Sequence, residues 1–207
     1  MPGLSTHVNF ARLVLERTDV PFDRVHYILG CVAPDCINLS DGNAFAQSHF
    51  ISSGRVPDSD IFLNKANIAI HGATTPTGAF LHGYFGHLWL DRYIHDHGHT
   101  LLSVNNPDMS ETEIPAAFKN NIWRYDLGYI RDIIDVDITE FAPDVSLFPF
   151  LTGELIFIRL SETLKRVEPV GDNLPTVISE EHYINYLIEA ADIFLSQASL
   201  TGRANIT

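Results

Sequence analysis

The segment that most constrains the fold is the stretch of residues 78–99, which reads GAFLHGYFGHLWLDRYIHDHGH. Its apolar side chains recur on most sides of a helix, so the segment predicts a buried helix at the centre of the fold. His87, Asp91 and His95 are spaced by four residues, and residues spaced by four lie on one face of a helix. Buried imidazoles and carboxylates cost free energy unless they are paired or bound to a metal. The spacing therefore leaves two interpretations open: a metal site, or a hydrogen-bonded His–Asp pair that holds two helices together.

Helical patterns also dominate the rest of the chain, and no alternation of strands and helices is evident. A first helix is predicted from the capping residues Ser5 and Thr6 to just before Pro21. Further helices are predicted at 22–30, 59–70, 78–95, 114–135, 152–167 and 180–198. Residues 36–46 are rich in Asn, Ser, Asp and Gly and predict a loop. We therefore expect an all-α fold, a single-domain multi-helix bundle over residues 1–207, with the metal-type side chains concentrated in residues 1–99.

The charge balance limits the classes of partner. The 207 residues include 26 acidic and 13 basic side chains, so the formal net charge is −13. Such a surface repels the phosphates of nucleic acids, and we expect no nucleic-acid partner. It does not exclude a small phosphoester or a phospholipid headgroup as substrate, because bound divalent cations reverse the electrostatic field locally.

The two cysteines, Cys31 and Cys36, are separated by four residues, which is neither a CxxC motif nor a disulfide framework. They predict buried free thiols, and reduced thiols favour a cytoplasmic protein. The first residues lack the basic and apolar regions of a secretory signal, and no apolar run approaches the ~20 residues of a membrane-spanning helix. We therefore expect a cytoplasmic protein without a transmembrane segment.

Four short motifs with metal-type side chains follow one another along the chain. They are Thr6-His7 at a helix start, Pro34-Asp35 after a helix end, His49-Phe50 in a loop, and the helical pair His87-x3-Asp91. Three imidazoles and two carboxylates suit Zn²⁺ or a similar divalent ion, and they exceed what one tetrahedral ion needs. Either two ions share a carboxylate, or some of these side chains support the ligands from outside.

The order TH, PD, HF and then GYxxHLxxD resembles the bacterial zinc-dependent phospholipase C family, which is itself similar to the S1/P1 nucleases. The longest block is GYFGHLWLD at residues 83–91, and the resemblance covers about residues 4–95. It implies a helical fold similar to phospholipase C and P1 nuclease. The residues that correspond to the family's zinc ligands are His7, Asp35, His49, His87 and Asp91. By the same resemblance Asp91 can bridge two ions, and a further family histidine corresponds to His95, or to His97 beyond it.

The chain departs from the family at two points. The three-zinc enzymes carry a further His-x3-Glu or His-x3-Asp pair on a later helix. Here His182 is the only later histidine, and Tyr186 stands where the carboxylate would be. The secreted enzymes also use a free N-terminal amine, which a chain without a signal peptide does not supply. We therefore expect one or two zinc ions, as in a small intracellular member of the family.

The leading hypothesis is a zinc-dependent hydrolase of phosphoesters, similar to phospholipase C, with a metal-activated water as nucleophile. Asp35 and Asp91 are the candidate catalytic residues, since a carboxylate beside the metal can orient or deprotonate water. The candidate metal ligands are His7, Asp35, His49, His87, Asp91 and His95. The alternative is a non-catalytic helical protein whose structural or vestigial metal site belongs to a binding module.

Overall fold

The computed structural model describes residues 3–37, 42–52, 56–66, 74–105, 148, 151, 153–166 and 178–200. Within these ranges the chain is mostly helical and forms no strand, so the all-α prediction is confirmed. The helices, in chain order, are α1 (Leu4–Arg17), α2 (Arg24–Val32), a short 3-10 helix (Ala33–Cys36), α3 (Gly42–Ser48), α4 (Ser59–Ala66), α5 (Pro76–Asn105), α6 (Gly153–Arg166) and α7 (Glu180–Leu200). No described helix combines the length and the apolar character needed to cross a bilayer.

Helix α5 is the central element, and its start follows from the sequence. Pro76 occupies the first helical position, where the missing N–H removes no intrahelical hydrogen bond. The hydroxyl of Thr75 accepts a hydrogen bond from the N–H of Gly78 at 3.1 Å, which satisfies one of the free donors of the first turn. Thr75 and Pro76 together therefore fix where the central helix begins.

The apolar residues of α5 serve two hydrophobic clusters. Phe80 and Tyr84 belong to a cluster that α5 forms with α2, α4 and α6. Leu90 belongs to a second cluster that α5 forms with α1, α2 and α7. A helix that is buried by two clusters must be apolar around most of its circumference, as the sequence of residues 78–99 indicated.

Helix α2 packs most closely against α5, and glycines make this approach possible. A Cβ atom at Gly30 would overlap the carbonyl oxygen of Phe80, and a Cβ at Gly83 would overlap the carbonyl oxygen of Tyr27. The two backbones are thus in direct contact at these points, with no side chain between them. Any larger residue at either position must push the helices apart.

Several predicted boundaries differ from the structure. Residues 36–46 were expected to be a loop, but Cys36 closes the 3-10 helix and α3 begins at Gly42. Local polar composition disfavours a helix here, and the packing of Ala44 and Phe45 against the first hydrophobic cluster overrides that preference. Helix α5 continues past residue 95 to Asn105, because Gly98 lowers helix propensity without ending the helix. The predicted helix 114–135 lies outside the described residues.

The first helix is capped differently from the prediction. Gly3, not Ser5 or Thr6, is the residue before the first helical turn. Ser5 and Thr6 are instead buried within the helix, and the Thr6 hydroxyl accepts a hydrogen bond from the Tyr183 hydroxyl at 3.1 Å. This bond ties the start of α1 to α7.

Both cysteines are free and buried, which confirms the prediction for them. Burial raises the pKa of the Cys31 thiol and that of the Cys36 thiol. Thiols that stay protonated are poor nucleophiles and poor metal ligands, so neither side chain competes for a role at a metal site.

Replacing Gly83 with alanine tests the α2–α5 contact. We expect Gly83→Ala to lower the free energy of unfolding by about 3 kcal/mol, the upper end of the usual cost of overpacking, because its neighbour is backbone. Gly98→Ala is the control on the same helix, since its Cβ would meet only the Ile94 side chain at 3.2 Å. It should change the free energy of unfolding by no more than about 1 kcal/mol in urea titrations. Equal small losses in both variants would contradict the close backbone contact.

His82 should make the stability depend on pH. Burial lowers its pKa from 6.5 to about 4, and its Nε2 has no hydrogen-bond partner among the described residues. Between these pH values His82 binds a proton in the unfolded chain but not in the folded chain. The free energy of unfolding therefore has its full value with respect to His82 above pH 6.5, and it decreases as the pH falls below 6.5. Urea unfolding of metal-free protein at pH 6.5 and 4.5 should show about 2 kcal/mol of loss that His82→Leu removes. The exposed His97, changed to glutamine, should leave that loss in place.

Candidate metal centre

Five side chains with nitrogen or oxygen donors converge between α1, α3 and α5, and we call them the donor cluster. His7 comes from the first turn of α1, Asp35 from the 3-10 helix, and His49 directly follows α3. His87 and Asp91 lie one turn apart on α5. The side chains of the three histidines and of Asp91 are fully buried, whereas that of Asp35 is 9% exposed. Residues from four separate elements therefore meet at one point, and all five are residues that the sequence singled out.

Asp91 lies between the three imidazoles. Its Oδ1 is 3.4 Å from His7 Nε2, and its Oδ2 is 3.5 Å from both His49 Nε2 and His87 Nε2. Asp35 Oδ1 is 3.5 Å from His49 Nε2, and Asp35 Oδ2 is 3.9 Å from His7 Nε2. The Nε2 atoms of His49 and His87 are 3.2 Å apart. Every ring thus presents the same nitrogen to the centre of the cluster.

These separations fit a shared metal ion better than hydrogen bonds. Charge-assisted N–H···O bonds are about 2.7–2.9 Å long, which is shorter than any His–Asp separation in the cluster. Donors that lie about 2.0–2.1 Å from one tetrahedral zinc ion are about 3.3 Å from each other. Consistently, both carboxylate oxygens of Asp91 and both nitrogens of His7 are buried without a hydrogen-bond partner among the described residues.

The other ring nitrogens of two histidines are held by the protein. His87 Nδ1 donates to the carbonyl oxygen of Cys31 at 2.7 Å. The Ser48 hydroxyl donates to the carbonyl oxygen of Phe45 at 3.0 Å, so its oxygen is left to accept from His49 Nδ1 at 2.8 Å. Both imidazoles, when neutral, therefore direct an unprotonated Nε2 into the cluster. Two nitrogen lone pairs that face each other at 3.2 Å repel unless a cation or a proton lies between them.

The two carboxylates carry the negative charge of the cluster. Burial opposes ionisation of Asp91, but His87 and His7 outweigh it and hold the pKa of Asp91 well below its usual range. Burial likewise opposes ionisation of Asp35, and the neighbouring histidines, His49 first, hold its pKa below the usual value. Both groups are ionised at neutral pH, and their combined charge equals that of one divalent cation in size.

His7 differs from the other two histidines. Its ring stacks on the His87 ring, with centroids 3.6 Å apart and an angle of 17° between the planes. Its Nδ1 has no hydrogen-bond partner in the described part of the chain. The position of His7 therefore depends on stacking and on α1, whereas His49 and His87 are oriented by their own hydrogen bonds.

The donors form two overlapping sets, His7–His87–Asp91 and Asp35–His49–His87, and within each set the donor atoms lie within 4.8 Å of one another. Both sets include His87, which has a single free nitrogen because its Nδ1 is bound to Cys31. Two ions cannot both use that nitrogen. A second ion would then depend on His7 and on the carboxylates of the cluster.

His95 is the predicted ligand that the structure does not bring to the cluster. Its side chain is 58% exposed, and its Nδ1 lies 3.0 Å from Asp96 Oδ1. A helix turns about 100° per residue, so each step of four residues overshoots a full turn by about 40°. One step from His87 keeps Asp91 on the same face, but two steps carry His95 about 80° away from it. His97 is also exposed, and its ring contacts that of Tyr93.

The residues that hold the ligands were not predicted. Ser48 orients His49, the Cys31 carbonyl orients His87, and the Tyr84 hydroxyl donates to the carbonyl oxygen of Ser48. The sequence contains a serine directly before His49, but the predicted loop gave no reason to connect the two side chains. Backbone carbonyls leave no signal in a sequence at all.

Zinc should stabilise the protein through Asp91 and not through His95. A ligand at 100 times its dissociation constant raises the free energy of unfolding by about 2.7 kcal/mol if it binds only the folded state. We expect zinc to raise the melting temperature of the wild type and of His95→Ala, and a chelator to reverse the rise. Asp91→Ala should show no zinc-dependent rise. An equal response in Asp91→Ala would contradict a metal site built around this carboxylate.

No family model, no curated protein and no solved structure matches this chain. The resemblance to the zinc-dependent phospholipase C family therefore rests on the order and spacing of the motifs between His7 and Asp91. The convergence of five donors is independent of that resemblance, because it follows from the fold of this chain.

Proposed function

We propose that this protein is a metal-dependent hydrolase of phosphoesters, with one or two zinc ions held by the donor cluster. The observation that carries the proposal is the convergence of five donors at separations of 3.2–3.9 Å. Such a set exceeds the needs of one structural tetrahedral ion. The motif order that resembles the zinc-dependent phospholipase C family supports the same reading, and with it a fold similar to that family.

Asp35 marks the side from which a substrate would reach the cluster. Its side chain is 9% exposed, while the side chains of the other four donors are fully buried. It belongs to the short 3-10 helix, whose other residues are buried, so Asp35 is the residue of that helix that reaches solvent. A water molecule that enters here meets Asp35 before any other donor.

The donor residues would have different roles in such a reaction. A divalent ion in the cluster supplies Lewis acidity, which activates water and offsets the negative charge that develops on phosphoryl oxygens. Asp91, His49 and His87 hold the ion, since they are buried and two of them are oriented by hydrogen bonds. Asp35 is ionised and partly exposed, so it can accept a hydrogen bond from the attacking water and orient it.

The charge of the protein narrows the substrate class. With a formal net charge of −13 the surface repels long polyanions, which disfavours a nuclease. A small phosphoester or a phospholipid headgroup carries little charge beyond the phosphate that the metal would bind. We therefore propose substrates of this class.

The burial of four donors favours a second candidate, a structural metal site in a non-catalytic binding module. A site whose ion is enclosed by protein ligands leaves no position for water and supports no hydrolysis. The two candidates differ in whether the zinc-loaded protein hydrolyses a phosphoester, and the hydrolase alone needs Asp35 for turnover beyond any part in holding the metal.

Three isosteric variants separate the candidates. We expect Asp35→Asn to retain zinc through the remaining donors but to lose at least about 100-fold in turnover, because the group that orients water is gone. Asp91→Asn should lose both zinc and activity. Asp96→Asn, an exposed carboxylate on the same helix, should lose neither.

The assays are hydrolysis of bis(p-nitrophenyl) phosphate and of a short-chain phosphatidylcholine, with zinc measured by elemental mass spectrometry. Zinc-loaded wild type that hydrolyses neither substrate would favour the structural site. Turnover that survives in Asp91→Asn would contradict the proposed function.

A further inference from the structure

The residue directly after His49 has an unusual backbone conformation. Phe50 has a φ of 53°, and it is the non-glycine residue with positive φ in the described part of the chain. Its N–H donates to the carbonyl of Gln47 at 3.3 Å, and the N–H of Ile51 donates to the carbonyl of Ala46 at 2.9 Å. This pair of bonds is the Schellman motif that ends a helix, with Phe50 at its left-handed position.

Glycine is the usual residue at this position, because a Cβ atom makes the left-handed conformation unfavourable. Packing explains why a phenylalanine is found here. The Phe50 ring makes edge contacts with Phe62, Tyr84 and Phe148, at centroid distances of 5.3, 6.1 and 6.5 Å. The ring thus anchors the end of α3 to α4 and α5.

The same turn carries His49 into the donor cluster. His49 is the last residue before the left-handed one, and its N–H still donates to the carbonyl of Phe45 at 3.0 Å, as in a helix. The carbonyl of Ser48 accepts a hydrogen bond from Tyr84, which lies one turn before His87 on α5. The end of α3 is therefore fixed against α5 on one side by Phe50 and on the other by the contact between His49 and His87.

We propose that Phe50 is a positioning residue for His49: its left-handed backbone and its anchored ring together set where the His49 imidazole enters the metal site. The inference rests on the proposed metal site. The Phe50 ring contacts Phe62, Tyr84 and Phe148, so Phe50 acts on His49 through the last turn of α3. Both of its properties, the conformation and the ring, are then required for full metal affinity.

The two requirements can be separated with alanine and glycine. Phe50→Ala removes the ring and keeps the cost of the left-handed conformation, and we expect zinc affinity to fall about tenfold or more. Phe50→Gly also removes the ring but adopts the left-handed conformation freely, so it should bind zinc about fivefold more tightly than Phe50→Ala. Phe50→Leu keeps an apolar anchor and should remain within about threefold of the wild type.

Zinc affinity is measured at 20 °C against a competing chelator, and the visible spectrum of the Co²⁺-substituted protein reports the ligand geometry. Phe194→Ala and Phe194→Leu are the controls, because Phe194 is a buried aromatic residue of α7 that belongs to the second hydrophobic cluster. Its ring contacts those of Phe10, Phe85 and Trp89. They should lower the melting temperature at least as much as the Phe50 variants, yet keep zinc affinity within about twofold and the Co²⁺ spectrum unchanged.

The possible results are distinct. A wild type that binds neither Zn²⁺ nor Co²⁺ removes the proposed metal site, whatever the variants do. If the wild type binds zinc, three results would overturn the positioning role: Phe50→Ala binds zinc as tightly as the wild type, Phe194→Ala loses as much zinc affinity as Phe50→Ala, or Phe50→Gly binds zinc no more tightly than Phe50→Ala. If Phe50→Ala does not fold at 20 °C, Phe50→Gly is compared with Phe50→Leu and with Phe194→Leu, and it must then bind zinc more weakly than both.

Discussion

The direct contact between the backbones of α2 and α5 is the constraint on which the donor cluster depends. Gly30 and Gly83 remove the side chains that would keep the helices apart. The next residue after Gly30 is Cys31, whose carbonyl reaches His87 Nδ1, one turn after Gly83. A wider spacing between the helices would withdraw this acceptor, and the imidazole would lose the bond that sets its orientation and tautomer. The close approach that Gly30 and Gly83 allow is thus what lets the Cys31 carbonyl orient the His87 imidazole.

The cluster also depends on the apolar residues around it. The Phe45 ring stacks on that of His49, with the ring centroids 4.1 Å apart, and the hydroxyl of Tyr84 donates a hydrogen bond to the carbonyl oxygen of Ser48. A surrounding of this kind lowers the local dielectric constant, which strengthens the attraction between a cation and carboxylates and raises the cost of leaving those carboxylates alone. The same apolar surroundings would therefore favour a bound cation and raise the free-energy cost of carboxylates without one.

How much the sequence predicts depends on the range of the interaction. The pair His87 and Asp91 could be recognised from one helical step, and the all-α class from the periodicity of the chain. His95 was wrongly placed on the same face, because the helical repeat of 3.6 residues makes the error grow with each step. Helix α3 was missed since its polar residues disfavour a helix locally, and its contacts with the 3-10 helix and with Tyr84 of α5 leave no local signal. Which carbonyl faces which imidazole depends on the helix crossing, and no local pattern contains that information.

The wide spacing of the donors along the chain has a consequence for how a metal would be acquired. Only His87 and Asp91 are close in sequence, while His7, Asp35 and His49 are brought in by three other elements. The unfolded chain therefore offers a two-residue chelate, and the full set exists only after α1, α3 and α5 have packed. Metal loading would therefore be a late event in folding. A bound ion would link these elements to one another and would therefore oppose local unfolding of the N-terminal half of the fold.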